Sequence, residues 1–108
     1  MKDLSYIALL DVYGDALTQK QRDMLTDYYV RDFSLSEIGD NYEISRQAVH
    51  FALKQAEKSL NRYESKFGVC GFVSELYKRL DGIKNSDDTL GKIAELEEFI
   101  RSKYGTVR

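Results

Sequence analysis

The sequence predicts an all-α protein of about six helices, a helix-turn-helix followed by a C-terminal helical extension. Three observations carry this prediction. None of the 108 residues is proline, the strongest breaker of a helix interior. Apolar residues recur at spacings of three and four along most of the chain. A Ser or Thr is twice followed, three residues later, by Glu or Gln just ahead of an apolar run, the signature of a helix start. The apolar share of 43% and charged share of 31% suit one folded domain over residues 1–108 and exclude a disordered chain. Within it the helix-turn-helix core is read at about 17–66 and the extension at about 69–104.

The first helix is expected over 4–13, with Leu4, Ile7, Ala8, Leu10 and Tyr13 as its apolar side and Gly14 as its terminator. The second is expected from Thr18 to Val30. Thr18 and Gln21 form its capping box, and Leu25, Tyr28 and Tyr29 continue the buried stripe. The third, 35–42, starts at a second capping box, Ser34 with Glu37. Gly39 inside it costs about 1 kcal/mol relative to alanine, which signals close packing against a neighbour. The fourth starts at Ser45 and runs to about Lys66, with Val49, Leu53, Ala56 and Leu60 as its inner stripe. A fifth over 70–81 carries Phe72, Val73, Leu76, Tyr77 and Leu80. A sixth over 88–103 carries Leu90, Ile93, Leu96, Phe99 and Ile100. Gly68, Gly71 and Gly82 read as terminators.

Several function classes lack their residues. A single cysteine, Cys70, makes no internal disulfide and points to a reducing, cytoplasmic setting. No apolar run nears the roughly 18–20 residues of a membrane span, and the start of the chain lacks the layout of a signal peptide. His50, the only histidine, has no second His or Cys at ligand spacing, so no metal site is expected. There is no phosphate-binding G-x-x-x-x-G-K-[ST] loop, and no base partner for a Cys70 nucleophile. No enzyme activity and no cofactor are expected.

Charge is distributed unevenly. Residues 1–44 hold four Lys/Arg against nine Asp/Glu, a net −5, and Asp11, Asp15, Asp23, Asp27 and Asp32 read as a solvated acidic surface. Residues 45–66 hold five against two, a net +3, and residues 67–108 seven against seven. The overall −2 therefore hides a positive excess in one helix, and the local field of a face is what a polyanion meets. The stretch from Ser34 to Lys54 reads as cap, short helix, tight turn, cap, second helix. Leu35 and Ile38 lock the first helix, Ile44 seals the turn, and Ala48, Val49 and Leu53 anchor the second. Arg46, Gln47, His50 and Lys54 are left on the other face, with Lys58 and Arg62 extending it. This is how a recognition helix enters the major groove. Arg grips guanine, Gln grips adenine, and Ser45 with the free N–H groups of the helix start holds a phosphate. Of the eight tyrosines and five phenylalanines, most read as core; Tyr42 and Phe51 are the candidates for contact with bases.

The run from Leu17 to about Tyr63 resembles the YlxM family of small bacterial helix-turn-helix proteins, which are similar to region four of sigma factors. The matching pieces are Leu17-Thr18-Gln19-Lys20-Gln21-Arg22, the Tyr28-Tyr29 pair, Phe33 to Ile38, and Ser45-Arg46-Gln47-Ala48-Val49. The resemblance implies a DNA-binding regulator, encoded beside the GTPase of the signal recognition particle and acting in that pathway, with no catalytic residues. Where relatives carry a tyrosine, His50 stands here. The alternative is an accessory protein that binds the particle's GTPase or RNA, with the helix-turn-helix as scaffold. The last two helices either join a homodimer, through Leu96, Phe99 and Ile100, or fold back over the first two.

Overall fold

The computed structural model describes residues 2–105. Six α-helices follow one another with no strand among these residues: α1 (Ser5–Tyr13), α2 (Gln19–Leu25), α3 (Leu35–Tyr42), α4 (Arg46–Phe67), α5 (Val69–Lys84) and α6 (Thr89–Tyr104). The protein is all-α, as predicted. It divides into two compact units, one ending at Cys70 and one beginning at Gly71.

The first unit is built by local caps that meet at one core. The Thr18 hydroxyl accepts the Gln21 N–H and the Gln21 amide oxygen accepts the Thr18 N–H, each at 3.1 Å. Ser34 and Glu37 do the same at the start of α3, at 3.1 and 3.0 Å. Each box satisfies two donors that the first helical turn leaves unpaired. Met24, Leu25, Ile38, Val49 and Leu60 are fully buried at the centre, with Leu53 and Ala56 beside them. The inner stripe of α4 thus packs as its spacing predicted.

Some expectations change. Gly14 does not end α1 in a left-handed turn: its φ is −56°, and it opens a 3₁₀ turn over Gly14–Ala16. In α1 the buried residues are Leu9, Leu10 and Tyr13, whereas Leu4 and Ala8 face solvent. The second helix is α-helical only to Leu25. It continues as a π turn over Thr26–Val30, closed by Arg31 N–H to the Thr26 carbonyl at 3.0 Å. The Thr26 hydroxyl donates to the Arg22 carbonyl at 2.8 Å, a side-chain intrusion of the kind that disturbs the helical ladder. Asp27, three residues after buried Met24, faces inward. Asp27 is 6% exposed and pairs with Arg31 at 3.0 Å, so it does not belong to the solvated acidic surface.

Gly39 is required where it stands. A Cβ there would lie 2.7 Å from the Ile44 carbonyl oxygen and 3.6 Å from Val49 Cγ2. The turn from α3 to α4 therefore passes directly over a bare backbone. Glu43 completes it at φ 56°, and the Ile44 N–H returns to the Gly39 carbonyl at 2.9 Å.

In the second unit, α6 is capped by Asp88, which accepts the Gly91 N–H at 3.1 Å. Phe72 stacks on Phe99 at 5.2 Å and meets Tyr104 edge-on at 4.8 Å, and Arg79 sits 4.2 Å from the Phe99 ring centre. No residue of α5 or α6 is buried. Gly71 and Gly82 lie inside α5 rather than at its end; of the four glycines expected as terminators, only Gly68 ends a helix in a left-handed turn, at φ 64°.

Candidate nucleic-acid interface

The reading surface is assembled from the start of α4 outward. Ser45 is the N-cap: its hydroxyl oxygen accepts the Ala48 N–H at 3.0 Å, which leaves its own proton and the first backbone N–H groups to meet an anion. Burial of Val49, Leu53, Ala56 and Leu60 fixes the rotation of α4. That rotation turns Ser45, Arg46, Gln47, His50, Lys54, Lys58 and Arg62 to solvent, and all seven are exposed. Ala48, expected as an anchor, is exposed as well, since it precedes Val49 by about 100° of helical turn.

The cations on this face are not equivalent. Lys54 Nζ lies 3.3 Å from Glu57 Oε1, and Glu57 is 6% exposed. The second Glu57 oxygen accepts the Tyr29 hydroxyl at 2.7 Å. Burial, with Glu57 next in weight, pushes the Tyr29 phenol well above its ordinary range. Lys54 is thus partly compensated and held in place. Among the described residues, Arg46, Lys58 and Arg62 pair with no carboxylate; Arg62 rests 5.6 Å from the Tyr63 ring centre. Their charge stays available to an outside partner.

The comparisons with known proteins agree with this architecture. The family model UPF0122, described as "Putative helix-turn-helix protein, YlxM / p13 like", matches residues 1–100. The chain belongs to the UPF0122 family. It is 46% identical over 83 residues to a UPF0122 protein of Caldanaerobacter subterraneus subsp. tengcongensis, covering 76% of this chain and 71% of that one. Against a UPF0122 protein of Symbiobacterium thermophilum it is 46% identical over 81 residues, 74% and 73% of the two chains. A UPF0122 protein of Malacoplasma penetrans matches at 38% over 105 residues, 94% and 96% of the two. The resemblance drawn from Leu17 to Tyr63 therefore extends through most of this UPF0122 chain.

Two groups at the site escape a reading of the sequence. Glu57 stands at the inner-stripe position after Leu53, and a lone carboxylate inside an apolar stripe is the signal that identifies it. Tyr29 reads as plain core, yet its hydroxyl is what satisfies Glu57. Of the two aromatics set apart, Tyr42 packs against the core and its phenol is raised by burial and by Asp27 and Asp23. Phe51 is 66% exposed on the α4 surface. No helix among the described residues is long and apolar enough to cross a membrane.

Proposed function

We propose that this protein is a DNA-binding regulator that reads duplex DNA with α4. The observation that carries the reading is the stripe from Ser45 to Arg62, exposed along its whole length and backed by a buried core. Arg46, Gln47 and His50 face base edges, and Lys54, Lys58 and Arg62 follow the phosphates, with Ser45 holding one at the helix start. Binding rather than catalysis is its work. Burial and Glu64 hold the Cys70 thiol above its ordinary range, which keeps it protonated and a poor nucleophile.

A single helix-turn-helix makes few contacts, and a two-fold dimer doubles them. The open apolar side chains of α5 and α6, Leu90 at 83% exposure and Tyr77 at 66%, favour a second copy joined there. A second reading is an accessory protein of the signal recognition particle that binds its GTPase or RNA. Its GTPase-binding form is favoured by the acidic positions Asp11 and Asp23, which stay exposed and would meet a basic protein partner, beside Asp15 and Asp32, which pair with Arg22 and Lys2.

Reversal of two unpaired cations tests the first reading against the second. Arg46→Glu with Lys58→Glu should lower affinity for short random-sequence duplexes roughly 10- to 100-fold, because each reversal removes a charge that neutralises phosphate and adds one that repels it, with helix content by circular dichroism unchanged. Equal retardation of duplex by variant and wild type refutes the DNA reading. Recovery of the particle's GTPase or RNA, with no duplex retained at low salt, favours the accessory one.

A further inference from the structure

Phe51 is the large apolar side chain on the α4 reading face. It is not needed by the core, whose inner stripe is complete without it, and it stands 66% exposed. Gln47 precedes it by four residues, and Lys54 and Lys58 follow by three and seven, so it sits in the middle of the charged face. Ala48, three residues before it, is open too, and residues three apart are surface neighbours.

The major groove is about 12 Å wide and admits one α-helix, whose N-terminal residues contact the base edges. The open side chains of the first turns of α4, from Arg46 to Phe51, are therefore placed to meet base edges, while Lys54, Lys58 and Arg62 follow toward the phosphates. Within the groove the apolar feature of a base edge is the thymine 5-methyl group. The adjacent Gln47 amide suits the adenine of a neighbouring pair.

We propose that Phe51 and Ala48 pack on thymine methyl groups, making this protein a reader of duplex DNA with consecutive A·T pairs under the start of α4. The inference rests on the DNA-binding reading above and adds the base to it.

The test uses the full chain and a duplex selected by it from a random-sequence pool, then resynthesised with thymine or with deoxyuridine. Uracil keeps every hydrogen-bonding group and lacks only the methyl. Wild type should lose about fourfold in affinity per contacted methyl on the uracil duplex. Phe51→Ala should lose the preference of about fourfold owed to its own methyl contact and keep only the share owed to Ala48, so its preference for the thymine duplex is smaller than that of wild type, while it keeps wild-type helix content because the side chain removed supports no core. Equal binding of both duplexes by wild type overturns the methyl contact. An equal loss on uracil in wild type and Phe51→Ala overturns it as well, since the methyl would then act through DNA shape. Retention of a protein partner by Phe51, with no duplex selected at all, overturns both this inference and the DNA reading on which it rests.

Discussion

The two units spend their apolar side chains differently. In the first, capping boxes at Thr18 and Ser34 start α2 and α3, and Met24, Leu25, Ile38, Val49 and Leu60 close into one core. In the second, α5 from Gly71 onward and the whole of α6 contain no buried residue, although they carry as regular an apolar spacing. The difference teaches that periodicity predicts a helix but not its burial. A stripe becomes a core only where neighbouring helices converge on it, as α1, α2 and α3 converge on α4. The same convergence gives the reading face its rigidity, because every degree of rotation of α4 is fixed by what lies beneath it.

The largest contrast is between two leucines. Leu60→Ala should cost about 2–5 kcal/mol in urea unfolding, since it opens a cavity at a fully buried position. Leu90→Ala should cost under about 0.5 kcal/mol in dilute solution. If a second copy covers α6, the Leu90→Ala cost grows with protein concentration while the Leu60→Ala cost does not. Equal costs for both leucines at every concentration would break the comparison.

Two glycines give the next contrast. Gly39→Ala places a methyl 2.7 Å from the Ile44 carbonyl oxygen, a backbone atom that must move, and should cost about 1–3 kcal/mol together with a loss of duplex affinity. Gly82→Ala meets nothing within 4 Å inside α5 and should gain about 0.5–1 kcal/mol. A rise in thermal stability for Gly39→Ala would show that the turn is not tightly seated.

The smallest effect concerns the support beneath Lys54. Tyr29→Phe leaves buried Glu57 without its 2.7 Å donor and should cost about 1–2 kcal/mol. The folded-state pKa of Tyr29 lies above the usual 10.0. The stability linked to that proton is therefore full below pH 10 and is lost as pH rises beyond it. Unfolding measured across that range should fall less steeply with pH in Tyr29→Phe than in wild type; identical slopes would mean the phenol is not held protonated by the fold.

What the sequence makes legible is what is local. The caps at Thr18, Ser34 and Ser45 depend on residues three apart, and each forms as spelled. The core stripe of α4 follows from the spacing of Val49, Leu53, Ala56 and Leu60. What stays hidden depends on distant partners. Glu57 is buried because Tyr29, 28 residues away, hydrogen-bonds it. Asp27 is buried against the segment that follows it, its carboxylate paired with Arg31 and its carbonyl accepting the Phe33 N–H. Lys2 anchors the segment after the second helix through the Tyr28 and Phe33 carbonyls at 2.7 and 2.8 Å and through Asp32 at 3.0 Å, a role no pattern near residue 2 announces. At the reading face the exposed residues follow from the helix wheel, whereas the inequality of Lys54 and Lys58 follows only from the position of Glu57.

The claim that α4 presents unpaired cations to a polyanion is tested most directly by the salt dependence of duplex binding, wild type against Lys58→Ala with Arg62→Ala. The account predicts a steep linear fall of log affinity with log salt in wild type, and a slope shallower by about 2 in the variant, one for each phosphate contact removed. Slopes that coincide, or a wild-type affinity indifferent to salt, would contradict it.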